Sequence, residues 1–106
     1  MSSRWIDEQG DVATEQETRH KVDEPPRYRV LLHNDNYTTM DFVVLVLMQV
    51  FHKSMPQATR IMLDVHYKGT GIVGTYPREV AETKVTRVAQ MARDAQFPLL
   101  CTMEPA

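Results

Sequence analysis

The stretch from Met40 to Phe51 constrains this chain more than any other part of it. Phe42-Val43-Val44-Leu45-Val46-Leu47-Met48 is apolar almost all round, and a helix of that kind has to be buried on several sides. Its β-branched content makes a strand a competitor. Thr38 followed three residues later by Asp41 reads as a capping box, and the run is long for a strand, so the pattern predicts a helix over Met40–Phe51. The whole chain has 106 residues, 42% hydrophobic and 25% charged. That is enough for one small core, in one domain.

The remaining elements arrange themselves around it. Tyr28-Arg29-Val30-Leu31-Leu32 reads as a strand that breaks at His33-Asn34-Asp35-Asn36. Ser54 with Gln57, and Pro56 in the first turn, open a second helix. In it Ala58, Ile61, Met62 and Val65 form one apolar stripe, and Gly69 is placed to close it. Ile72–Tyr76 reads as a strand and Arg78–Ala95 as a long amphipathic helix. After Pro98, Leu99–Met103 reads as the last strand. The expected fold is α+β, a three-stranded antiparallel sheet with three helices on one face, in the order strand-helix-helix-strand-helix-strand.

The composition changes at Pro25-Pro26. Residues 1–26 carry seven acidic and three basic residues, a net −4, which leaves +2 on residues 27–106 of the overall −2. Sparse, aperiodic apolar residues with excess charge predict a flexible N-terminal extension over 1–26 and a folded core over 27–106. A net charge of −2 argues against nucleic acid as a partner. A single cysteine, Cys101, fits a reducing cytoplasm. There is no apolar stretch long enough for a membrane span, and none of the signal-peptide kind at the N-terminus. Nothing in the pattern demands more than a monomer.

Two polar groups interrupt the apolar pattern. Asn34-Asp35-Asn36 is most simply a turn before a helix, and His66, at the edge of the apolar stripe, is most simply a half-buried side chain. Taken together, a carboxylate, an amide oxygen and a neutral imidazole nitrogen are all acceptors. Such a set can receive the three N–H donors of an ammonium group, the imidazole only while unprotonated. Met40 and Met62 are core filler or the lining of an adaptable apolar pocket. Asp35 and His66 also form a conceivable acid–base pair, although no activated nucleophile stands beside them. Cys101 reads as a small buried hydrophobe. The four histidines and Cys101 lack zinc-site spacing, and Gly69-x-Gly71 is not a phosphate loop. No metal or cofactor is expected. The charges of Glu79-Val80-Ala81-Glu82-Thr83-Lys84 are most simply a solvated helix face.

Four segments then carry a resemblance. HNDNYT-x-MDFV, ATRIMLDVHYKGTGIVGTY, EVAETKV and PLLCTMEPA, in this order over residues 27–106, resemble the ClpS family, bacterial adaptors that deliver N-end-rule substrates to the ClpAP protease. The resemblance implies that Asn34, Asp35 and His66 bind the free α-amino group of a substrate. It implies a pocket for a bulky N-terminal side chain (Leu, Phe, Tyr or Trp) lined by Leu32, Met40, Val43, Met62, Val65 and Leu99, with Met40 as gatekeeper against β-branched residues. Glu79 and Lys84 match the surface that docks on the N-terminal domain of the ClpA AAA+ unfoldase, and the extension over 1–26 matches the part needed for handover. The partners implied are N-degron substrates and ClpA, and the chain is expected not to be an enzyme. Three positions depart from the family pattern: His33 replaces a small apolar residue, Asn36 an aspartate and Thr39 a proline. Two other readings compete, a docking-only modulator of the unfoldase with a non-functional pocket and a small acid–base hydrolase using Asp35 and His66.

Overall fold

The computed structural model describes residues 25–106. All but Pro25 and Pro26 of the extension expected over 1–26 lies outside them. The elements run β1 (Arg27–His33), α1 (Met40–Gln49), α2 (Met55–Lys68), β2 (Thr70–Pro77), α3 (Arg78–Ala95) and β3 (Leu100–Pro105). The sheet order is β2-β1-β3, antiparallel throughout. This is the expected α+β fold in the expected element order.

The helix boundaries follow local chemistry. Ser54 and Gln57 form a reciprocal capping box at the start of α2, with Pro56 in its first turn. Gly69 ends that helix at φ 92°, a left-handed conformation that suits glycine. The start of α1 differs from the expectation. Its N-cap is Thr39, whose hydroxyl accepts from the Phe42 N–H at 3.2 Å, and not Thr38. The Thr38 hydroxyl donates to Asp35 instead, so that Thr38 belongs to the preceding turn. The helix also ends at Gln49, two residues before Phe51.

The core joins Val30 and Leu32 of β1 to Val46 and Leu47 of α1, Ala58 and Val65 of α2, Val73 of β2, and Ala81 and Val88 of α3. Although α1 is apolar almost all round, only Phe42, Val43, Val46 and Leu47 are buried in it, and Leu45 is exposed. In a domain this small the helix lies at the edge of the core and buries one broad face. Helix α2 approaches β2 closely. A Cβ on Gly71 would stand 2.7 Å from Val65 Cγ2 and 3.2 Å from the Ile61 carbonyl, so glycine at 71 lets the helix settle onto the strand. At its far end α3 stops on Gln96 at φ 63°, and the next residue, Phe97, packs its ring 5.0 Å from that of Phe42.

Candidate functional site

The site grows from the junction between β1 and α1. The pairing of His33 with Thr70 carries β1 past the end of α2, and the Asn34 N–H then donates to the Gly69 carbonyl at 2.9 Å. This bond pins the Asn34-Asp35-Asn36 turn beside the last turn of α2, where His66 stands. Residues 34 and 66, far apart in sequence, meet because β1 and β2 are neighbours in the sheet.

Asp35 organises the turn. One carboxylate oxygen, Oδ1, accepts from the N–H groups of Tyr37 at 2.8 Å and Thr38 at 2.7 Å. The other, Oδ2, accepts from the Thr38 hydroxyl at 2.8 Å. Burial pushes the carboxyl up. The bonds from the Thr38 N–H, the Tyr37 N–H and the Thr38 hydroxyl outweigh it and hold the group below its ordinary value. A carboxylate has about four acceptor sites, so one remains open on Oδ2. The turn-former and ligand readings of Asp35 are therefore compatible: the turn locks the carboxylate ionised and oriented, with acceptor capacity to spare.

Beside it lies a cleft of about 270 Å³, near the lower end of the range for small-ligand sites. Asn34, Asp35, Asn36, Thr38 and His66 line its polar side, and Met40, Val43, Met62 and Val65 its apolar side. Val43 and Val65 are buried and form the floor, while Met40 is exposed at the lip. All three residues expected at the amine are thus in one cleft, with four of the six expected for the side chain. Leu32 and Leu99 are buried in the core and do not line it. Asn36 and Thr38 also line the cleft, beyond the residues expected from the sequence. Thr38 stands three residues after Asp35, a spacing that suits a side-chain-closed turn, whereas its spacing to Asp41 is the one that reads as a helix cap.

Glu79 and Lys84 lie on α3, away from the cleft lining. Glu79 is exposed in the first turn. Lys84 has an internal duty: its ammonium donates to the Val50 carbonyl at 2.8 Å and lies 5.6 Å and 5.5 Å from the ring centroids of Phe51 and Tyr76. It caps the end of α1. His33 joins its Nε2 to the Thr102 hydroxyl at 2.8 Å, across to β3.

Asp35 accepts from its own turn, and among the described residues no hydrogen bond joins it to His66. Burial pushes the Cys101 thiol up to about 12, which keeps it unreactive at neutral pH. Among the described residues no group of three or more His, Cys, Asp or Glu gathers to hold a metal, and no helix is long and apolar enough to cross a membrane.

The cleft thus sets hydrogen-bonding groups along one side against apolar side chains along the other, the lining of a binding domain rather than of a catalytic centre with an activated nucleophile. The family model that matches, over residues 23–102, is described as the ATP-dependent Clp protease adaptor protein ClpS. The ATP-dependent Clp protease adapter protein ClpS of Desulfatibacillum aliphaticivorans is 56% identical over 105 residues, covering 99% of each chain. That of Lawsonia intracellularis is 58% identical over 86 residues, 81% of this chain and 79% of the relative. The structure of Agrobacterium tumefaciens ClpS2 bound to L-phenylalaninamide superposes with a TM-score of 0.76 at 38% identity, covering 78% of this chain and 100% of that one. The chain belongs to the ClpS family of Clp protease adaptors.

Proposed function

We propose that this adaptor binds proteins whose first residue is large and hydrophobic, through the free α-amino group and the side chain together, and delivers them to the ClpA unfoldase. The observation that carries the reading is the open acceptor site of Asp35 beside an apolar recess of single-residue size. An ammonium group brings a positive charge and three donors; an internal residue brings one neutral N–H. Asn34, Asp35 and His66 would receive the donors, and Met40, Val43, Met62 and Val65 would enclose the side chain. L-Phenylalaninamide, the ligand of the related Agrobacterium tumefaciens ClpS2, is a free amine on an aromatic residue whose carboxyl end is capped as in a peptide, which supports the same ligand class here.

Magnitudes agree with a two-part reading. A charge-assisted hydrogen bond contributes about 1.5–3 kcal/mol, and burying a Leu or Phe side chain roughly 1.5–3 kcal/mol. The two contributions are of similar size, so a ligand that lacks either the free amine or the large side chain should bind more weakly, and both are read. The test is anisotropy titration of fluorescent peptides beginning with Leu, Phe, Met and N-acetyl-Leu. Binding confined to free Leu and Phe is expected. Equal or absent binding to all four would end the proposal and leave docking on the unfoldase as the remaining role.

A further inference from the structure

Among the described residues a further cavity, about 300 Å³, opens where α1 passes into α2 and is lined by Lys53, Pro56, Gln57, Arg60 and Ile61. Its lining shares no residue with that of the cleft, so the groove is a separate cavity. It has a half-buried apolar surface from Ile61, with exposed Met55 nearby. Two cations flank it. Among the described residues neither the Lys53 ammonium nor the Arg60 guanidinium makes an ion pair, in contrast to Arg29, Lys68 and Arg78, which each hold a carboxylate. A left-handed turn at His52 (φ 56°), closed by the Lys53 N–H on the Leu47 carbonyl at 3.1 Å, sets Lys53 at the rim. Two cations beside an apolar surface complement a peptide that sets acidic residues next to apolar ones.

The chain carries such a segment. Residues 1–24 hold a net −4, and within them only Trp5-Ile6-Asp7-Glu8 sets two adjacent apolar residues against two adjacent acids. The described chain also begins on the right side of the domain. Arg27 and Tyr28 pair with Pro77 and Tyr76, and the Tyr76 ring is 6.3 Å from that of Phe51, two residues before Lys53. The residues between Ile6 and Pro25 span up to about 60 Å when extended, against a radius of gyration of about 12 Å for a folded domain of 80 residues. We propose that Trp5-Ile6-Asp7-Glu8 docks back on this groove within the same chain, with Asp7 and Glu8 on Lys53 and Arg60 and the apolar pair against Ile61 and Pro56. Tethering gives the segment an effective concentration of order millimolar, so a contact too weak to form between separate molecules is populated within one.

Trp5 is the chain's one tryptophan, so acrylamide quenching of the full-length protein reads this contact directly. At low salt the Trp5 quenching constant is expected to rise at least twofold in the double variant Lys53→Glu/Arg60→Glu. The same rise is expected in Asp7→Lys/Glu8→Lys, and combining both pairs should restore the shielding. Equal quenching in all four chains would overturn the proposal. Shielding that grows with protein concentration would also overturn it, by placing the segment on a second copy. Should the groove variant lose its circular-dichroism melt, the Asp7→Lys/Glu8→Lys variant, which leaves the helices untouched, decides alone.

Discussion

The two ends of α1 present the same problem with opposite charges. At its start, Asp35 is held by three hydrogen bonds from its own turn and retains one acceptor site beside the cleft. At its end, Lys84 reaches in from α3, donates to the Val50 carbonyl and lies against two aromatic rings. The family resemblance assigns both to a partner, and both have work inside the fold. The difference lies in what they stabilise. Asp35 orders a local turn, so its geometry survives small changes elsewhere. Lys84 joins two helices, so its removal is felt as stability. A residue's internal duty does not exclude an external one; it sets what else changes when the residue is altered.

The largest effect that would break this comparison is at Asp35. Asp35→Asn keeps an oxygen for the turn N–H groups and removes the charge, so affinity for a free Leu peptide should fall by roughly 10–100-fold, about 1.5–3 kcal/mol, with a smaller loss of stability from the missing charge-assisted turn bonds. Asp35→Ala should weaken binding at least as much and loosen the turn as well. If Asp35→Asn bound normally in the anisotropy assay, the charge at this end would have only a structural role. Next comes Lys84→Met, which leaves the Val50 carbonyl without its donor. A loss of about 1–2 kcal/mol in urea unfolding is expected, with peptide affinity within twofold of the parent. A parallel loss of affinity would mean that α1 transmits changes from one end to the other.

Acid sharpens the contrast further. The folded-state pKa of Asp35 is depressed, so its contribution to stability is complete above the ordinary carboxylate value of 3.8 and is lost as pH falls through the folded value. Unfolding followed through that acidic window should show the parent losing stability that Asp35→Asn never had. Parallel curves would remove Asp35 from the acid response. The smallest expected effect is a control at neither end. Glycine at position 96 relieves a left-handed conformation but loosens the unfolded chain, so Gln96→Gly should add only about 0.5 kcal/mol. That gain, read by thermal melting, should leave peptide affinity unchanged, because Phe97 touches α1 through Phe42 on the core side.

Local chemistry made much of the fold legible in advance. Ser54, Pro56, Gln57 and Gly69 bracket α2 because caps and left-handed stops act within a few residues. The start of α1 was misread for a related reason. Thr38 and Thr39 are adjacent hydroxyls, either of which can cap, and the choice was made by Asp35 drawing Thr38 into its turn. Of the site, the polar pieces were visible as interruptions in apolar patterns. Their assembly was not visible from spacing alone: shared acceptor chemistry suggested the grouping, and the family resemblance assigned it to an α-amino group.

By itself, then, the sequence determined both limits of α2, the order of helices and strands, and the contrast between an acidic first quarter and a basic remainder. Only the tertiary structure decided that the Asn34 N–H finds the Gly69 carbonyl and sets Asp35 beside His66. It also decided that Leu32 and Leu99 fill the core while Val43 and Val65 floor the cleft, and that Lys84 turns inward to an acceptor 34 residues away. The physical reason is range. Caps and turns depend on torsions of neighbouring residues, whereas strand pairing and helix docking are selected by the burial of the whole core, to which every distant segment contributes at once.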